Sequence, residues 1–564
     1  MTEQTKENKL TSSFHSAYFR EGQHYSFSEI KNKFSLDDET AKKRINLLRR
    51  CNILKIVRKE KLGYSDLSDQ EMIIDEPPED SSGFEYAFNF VGIILLENIV
   101  LKCYPKYIDN ADEKNGTELF QKLKTIIKVI KKYNEQSQQF SLYNGEENHK
   151  TFNRLAISLH ILQDYFENGL YTNQNENIEL NGEGEILWNK TIDETFAFTK
   201  NKTPYYLDFY THENEDNELD FIRRLHAAII TKCSNELKNA DILNFFDLSE
   251  ANLSQETLED LGDVDFIKYR LEKELKTQFV TRKQNLLKTL YTYVSETESK
   301  ETPESFSFYG TNAFNLVWEK ACAEIFDSVR DKTFRELKKK NIIEEKRIKN
   351  PNYDLANSAE AYLKDSEPFK NLIEKIKWTF NDFAVHAAET LEPDIISIQG
   401  NNFFILDAKY YLISIDAKGI SHQPGIQDVV KQFAYHKAFL NFVNDFGFEN
   451  VVNVFLVPKK TSSKLQKNFR IAGKAELTLM QDYAIKPLSP IQIVELEPEF
   501  VYENYLSGAK ITKEATKLLE KKNDAVPLDK KEGFLKVAKA PLNSAIRISN
   551  IADSNATYNT THNH

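Results

Sequence analysis

The stretch Leu391–Tyr411 constrains the fold of this chain more than any other. Two apolar runs, Ile395–Ile398 and Phe403–Leu406, flank Gln399-Gly400-Asn401-Asn402, and a Gly-Asn pair between β-rich runs signals a two-residue hairpin turn. With Gly400 and Asn401 at the centre of the turn, Gln399 faces Asn402, and counting outward along both strands brings Asp394 opposite Asp407. Directly opposed residues have Cβ atoms only about 4.5–5.5 Å apart, so two carboxylates meet at one point. Side chains alternate along a strand, which puts Lys409 on the same face as both acids. Like charges this close raise one pKa unless something positive sits between them, and a divalent cation bound by hard oxygen ligands does that. A plain salt bridge on an ordinary hairpin accounts for the same three residues, and the motif alone leaves both readings open.

The flanking segments narrow the choice. Asn315–Phe326 predicts a helix packing through Val317, Trp318, Ala321, Cys322 and Ile325, with Glu319 and Glu324 as its acids. Gly425–Val443 predicts another, with Ile426, Val429, Val430, Phe433, Ala434 and Leu440 at helical spacing, and Val451–Val457 is a continuous apolar run ending at Pro458. Helix, two strands, helix and strand, with acids on the first three elements, resemble the PD-(D/E)xK nuclease core over Tyr309 to about Val457. That resemblance implies Asp394, Asp407 and Lys409 as catalytic residues. It implies a divalent metal, Mg²⁺, held by Asp394, Asp407 and the carbonyl of Ala408, with Glu319 as an additional carboxylate and Lys409 orienting the attacking water. Related nucleases carry Gln-x-x-x-Tyr on the following helix for DNA positioning. Here Gln432 and Tyr435 are three apart and the residue four before Tyr435 is Lys431, so Lys431, Gln432 and Tyr435 are the DNA-contact candidates. A second Asp-Ala-Lys at Asp416–Lys418 has no acid opposed at hairpin spacing and runs into Gly419, which reads as a turn.

At 564 residues the chain is too long for one core, and two to four domains are expected. No apolar run approaches the roughly 20 residues that span a bilayer, and the N-terminus is polar, so a cytoplasmic protein without membrane contact is expected. Cys51, Cys103, Cys233 and Cys322 are far apart and form no C-x-x-C pair, which points to neither a zinc site nor a disulfide framework. A net charge of −12 opposes non-specific DNA binding. Basic clusters at Lys338–Lys349 and at Lys459, Lys460, Lys464, Lys467, Arg470 and Lys474 are either solvated faces or phosphate contacts.

Residues 20–60 read as a winged-helix-like module. Phe27–Phe34 is its first helix, Ser35–Asp38 a turn and N-cap, and Glu39–Cys51 its second helix, with Ala41, Ile45 and Leu48 inward and Lys42, Lys43, Arg44, Arg49 and Arg50 on the other positions. Such a second helix enters the major groove in helix-turn-helix proteins, which makes Lys43 and Arg44 candidates for DNA contact; winged helices also dock proteins. Asp75–Ser82 reads as a linker, and Phe84–Ile108 as a buried meander with a turn at Glu97-Asn98. Gly182-Glu183-Gly184-Glu185 lacks the spacing of a phosphate loop or EF-hand and reads as a turn into a strand at Ile186–Trp188. With no other nucleotide loop, this chain is expected to bind no nucleotide itself.

Phe90-Val91-Gly92-Ile93-Ile94, Tyr104-Pro105-Lys106-Tyr107-Ile108, Leu162-Gln163-Asp164-Tyr165, Asn168-Gly169-Leu170-Tyr171, Gly182–Trp188, Trp318-Glu319-Lys320-Ala321-Cys322 and Asp428–Phe433 together resemble McrC-like restriction subunits, in particular the LlaJI-type restriction endonucleases. The chain then reads as an α+β multidomain protein. Its parts are a winged-helix-like module over 1–75, a strand-rich McrC-like domain over 84–250 that docks a partner, a helical connector over 251–300, a nuclease domain over 301–510 and a polar tail over 511–564, expected to be disordered. The resemblance implies an endonuclease subunit of a restriction system acting on DNA with a McrB-like AAA+ NTPase, which hydrolyses GTP in that family, and with a cognate methyltransferase in the same system but not bound to it. The alternatives are a non-catalytic DNA-binding or regulatory subunit and a recombination or repair nuclease on the same core.

Overall fold

The computed structural model describes residues 14–58, 84–109, 116–137, 143–144, 151–152, 154–216, 219–297, 306–353, 361–380, 383–416, 419–460, 468–480 and 488–511. The linker at Asp75–Ser82, Lys464, Lys467 and the tail beyond Ile511 lie outside these. The architecture is mixed α+β and multidomain. Among the described residues no helix is long and apolar enough to cross a membrane, and all four cysteines are free thiols.

The N-terminal helices follow their local signals. Ser26 caps Phe27–Phe34 in a reciprocal capping box with Glu29, and Asp37 caps Asp38–Arg50 by accepting the N–H groups of Glu39 and Thr40. Ile30, Phe34, Ala41, Ile45 and Leu48 face inward, where Phe19 stacks on Phe88 with ring centroids 4.2 Å apart. The expected meander is divided between two sheets. Phe84–Phe88 lies between His24–Tyr25 and Leu54–Arg58, whereas Val91–Leu96 and Ile99–Tyr104 form a hairpin in a second sheet. Asn89 and Phe90 separate the two, and the Asn89 N–H turns aside to donate to the Ile53 carbonyl at 2.8 Å.

That second sheet runs His15–Arg20, Ile99–Tyr104, Val91–Leu96, Phe306–Thr311. Its last strand, assigned from sequence to the nuclease segment, pairs antiparallel with Val91–Leu96. At this seam Gly92 faces Gly310. A Cβ on Gly92 would lie 2.2 Å from the Tyr309 carbonyl oxygen and one on Gly310 2.3 Å from that of Val91, so the seam closes through backbone alone. One apolar core continues from Val91 and Tyr104 through the helices Gly116–Ser137, Arg154–Asn168, Phe221–Asn239 and Thr281–Thr297 to Trp318, Leu406 and Tyr502. The Glu185–Trp188 segment corrects one expectation: the strand is only Glu185–Ile186, and Trp188 opens a helix to Glu194.

In the C-terminal part a five-stranded sheet runs Ile395–Gln399, Asn402–Ala408, Asn450–Pro458, Ile491–Leu496, Phe469–Ala475. The hairpin has the register predicted, from Gln399 opposite Asn402 to Ile395 opposite Leu406. Asn402–Ala408 then runs parallel to Asn450–Pro458, a crossover made by the helix Ile426–Asp445. The helix Phe314–Ile325 packs on the opposite face, where Trp318 is fully buried and its indole N–H reaches the Leu456 carbonyl at 3.4 Å.

Candidate active site

Continuing the hairpin register by one residue places Asp394 opposite Asp407. Asp394 Oδ2 accepts the N–H of Ala408 at 3.1 Å, which fixes its carboxylate against the strand that carries Asp407. Asp407 is 5% exposed. Burial first, then hydrogen bonding to and repulsion from Asp394, push its pKa up to about 8 against the pull of Lys409. Lys409 Nζ lies 3.1 Å from Asp407 Oδ2 and 3.1 Å from Asp428 Oδ1. Burial works against its ammonium, but Asp407 and Asp428 outweigh it and hold its pKa above the ordinary lysine value. The salt bridge that sequence left as one of two readings is therefore present, within an arrangement larger than a bridge.

Glu319 stands close enough to sense both residues. Burial raises its pKa; Lys409 opposes the shift, Asp407 adds to it, and Asn315 and Arg330 lower it. Among the described residues no three His, Cys, Asp or Glu side chains gather as a metal-holding cluster. What a cation would meet here is the opposed pair Asp394 and Asp407. These are hard oxygens, and burial and the neighbouring Asp394 disfavour the ionised form of Asp407 against the pull of Lys409. Mg²⁺ suits such a set, because it keeps several waters and takes one or two carboxylates.

The residues expected to touch DNA are placed less uniformly. Lys431 is exposed on the helix. Gln432 is fully buried and its amide donates to the Ile405 carbonyl at 3.0 Å, which binds the helix to the sheet rather than to a phosphate. Tyr435 is also buried, its hydroxyl donating to the Glu392 carbonyl at 2.8 Å, beside the acids rather than facing solvent. In the N-terminal module Lys43 is exposed, with Glu39 at 2.9 Å. Arg44 is buried and ion-paired with Glu97 in the turn of the neighbouring sheet, because it shares the inward face with Ala41, Ile45 and Leu48. Some cations of the basic clusters are matched by acids: Lys338 with Asp365 at 2.7 Å, Arg470 with Glu495 at 2.6 Å and Lys474 with Glu476 at 2.7 Å.

Two charged neighbours of the site escaped sequence reasoning. Asp428 occupies the first turn of its helix and accepts the Gly425 N–H at 3.2 Å, so its spacing looks like that of a capping acid. Arg330 reaches the Pro393 carbonyl, next to Asp394, at 3.4 Å from a turn with no periodic signal.

Residues 90–355 and 356–497 match the family model of the LlaJI restriction endonuclease. The chain belongs to the LlaJI restriction endonuclease family. It is 29% identical over 439 residues to the type II restriction enzyme BsuMI component YdjA of Bacillus subtilis (strain 168), covering 76% of this chain and 83% of that one. Among solved structures, a chain of the half-complex of Thermococcus gammatolerans McrB AAA+ hexamers with bound McrC is 13% identical, over 87% of this chain and 99% of that one, with a TM-score of 0.35. A chain of the McrBC complex from the same organism is 12% identical, over 50% and 79%, with a TM-score of 0.19.

Proposed function

We propose that this chain is the DNA-cleaving subunit of a restriction system, hydrolysing phosphodiester bonds at a PD-(D/E)xK site with Mg²⁺. The observation that carries the reading is the opposed pair of half-buried Asp394 and buried Asp407 with Lys409 on the same side. Asp394, Asp407 and the Ala408 carbonyl would hold the cation, with the Glu319 carboxyl as an additional ligand. Bound there, a divalent cation would lower the pKa of water and offset charge developing on the phosphate oxygens. Lys409, held cationic between Asp407 and Asp428, orients the attacking water and stabilises the crowded phosphate. Lys431 and Lys43 are the exposed basic candidates for DNA contact; Gln432, Tyr435 and Arg44 act by fixing the elements around them.

The winged-helix-like module, the McrC-like domain, the helical connector and the nuclease segment are read with two adjustments: His15–Arg20 and Phe306–Thr311 both belong to the sheet of Val91–Leu96 and Ile99–Tyr104. A McrB-like AAA+ NTPase is the activating partner, as the sequence resemblance implies, and a methyltransferase protects host sites. The strands Val91–Leu96 and Ile99–Tyr104 are buried and leave little surface for docking. In the same 84–250 region, Trp188, Ile192, Phe196 and Leu207 are 52%, 53%, 74% and 61% exposed, and this apolar surface is the docking face. The test is cleavage of plasmid DNA by the purified chain with and without the NTPase, nucleotide and Mg²⁺. Cutting that needs all three is expected; rapid site-specific cutting by the isolated chain would replace this reading with a self-sufficient enzyme.

A further inference from the structure

Tyr410 follows Lys409 and points the other way. Along this strand Phe403 and Ile405 face the core beneath the helix Ile426–Asp445, whereas Leu406, Ala408 and Tyr410 enter the large core shared with the N-terminal part. Pairing ends at Ala408, and the Lys409 N–H makes one further backbone bond, to the Leu456 carbonyl at 2.9 Å. Beyond that, the end of the strand is held through Tyr410. Its hydroxyl donates to Glu21 Oε2 at 2.7 Å, the Lys106 N–H donates to the same oxygen at 3.2 Å, and Lys106 Nζ sits 4.4 Å from the centre of the tyrosine ring. The ring meets Phe314, first residue of the helix that carries Glu319, at 5.5 Å. Glu21 lies where the two N-terminal sheets join: its N–H donates to the Tyr104 carbonyl at 2.9 Å, and it bridges to Phe88.

We propose that Tyr410 is a positioning residue for Lys409, anchored on Glu21 and Lys106, so that the conformation of the N-terminal sheets sets where the lysine ammonium stands. The inference rests on reading Asp407 and Lys409 as catalytic. A shift of about 1 Å at a reacting group costs on the order of 10²-fold in rate, so a contact of this kind has leverage without touching DNA. It also offers a direct path by which an event on the N-terminal part reaches the site, since Glu21 and Tyr410 are 389 residues apart in the chain.

The test uses the full-length chain as wild type, Tyr410→Phe, Glu21→Gln and the double variant, with Asp407→Asn as reference. Tyr410→Phe keeps the ring in the core and removes only the hydroxyl. Hydrogen exchange of peptides spanning Ile405–Tyr411 is followed, together with plasmid cleavage with the NTPase and Mg²⁺. Either single variant is expected to speed exchange at the Lys409 amide severalfold and to lower kcat about tenfold with KM for DNA unchanged. The double variant should be no worse than the worse single one. Wild-type exchange at Lys409 would overturn the proposal. So would acceleration spread evenly over Asn450–Pro458 and the N-terminal sheets, which would make the contact merely structural. Retention of cleavage by Asp407→Asn would refute the active-site reading instead, and the exchange arm would still report on the tether.

Discussion

The tripeptide Asp-Ala-Lys occurs twice within a dozen residues, and the molecule surrounds the two copies differently. Asp407-Ala408-Lys409 closes the second strand of a five-stranded sheet, with a parallel neighbour on one side, Asp394 on the other and the Asp428 helix above. Asp416 ends a three-residue strand in a two-stranded ribbon and pairs with Gly419; Ala417 and Lys418 lie outside the described residues. The lesson is that the tripeptide carries no chemistry by itself. What distinguishes the first copy is an acid opposed across the hairpin, where the second has Gly419.

The sharpest way to break this comparison is to exchange one atom in each copy. Asp407→Asn should lower plasmid cleavage by at least about 10²–10³-fold, the range of a single electrostatic stabiliser, while Asp416→Asn stays close to wild type. The opposite result would mean that the second copy is the site. Asp394→Asn and Lys409→Ala should fall with Asp407→Asn, with circular dichroism unchanged in each. A smaller loss, about 10-fold, is expected for Asp428→Asn, which leaves Lys409 held by Asp407 alone. Full activity there would show that the helix does not orient the lysine.

The smallest effect is on stability against pH. In the folded chain Asp407 titrates near 8 instead of the ordinary 3.8. A raised carboxyl favours the protonated form, so its contribution to stability is complete below about pH 4 and lost as pH rises through about 8. With a chelator present, the melting temperature should fall by a few degrees between pH 6 and pH 9. Asp407→Asn should flatten that slope and Asp416→Asn should leave it alone; a slope unchanged by Asp407→Asn would show that other groups cause it.

Much of the site was legible because hairpin register is a local property. Gly400-Asn401 and the alternation of apolar residues specify which residues face each other, and Asp37 announces its helix by the same kind of short-range chemistry. The parts that sequence missed depend on partners far along the chain. Nothing near Arg44 says that Glu97 will neutralise it, nothing in the Gln432 helix says that its amide will meet the Ile405 carbonyl, and Asp428 is masked by the ordinary role its position suggests. The pairing of Phe306–Thr311 with Val91–Leu96 is of the same kind.

That seam also bears on how the chain is made. The Val91–Leu96 edge is buried and apolar in the finished protein, and its partner strand is synthesised about 210 residues later. At the usual ~5–20 residues per second, the ribosome leaves this edge uncovered for roughly 10–40 s. An open apolar strand edge is a template for unwanted pairing, and the facing glycines offer no side chain to shield it. We expect nascent chains arrested before residue 306 to be chaperone-bound or aggregated, and chains arrested well past residue 311 to be protease-resistant, so that the joint between the two ends of the molecule also marks when the growing chain becomes safe to release.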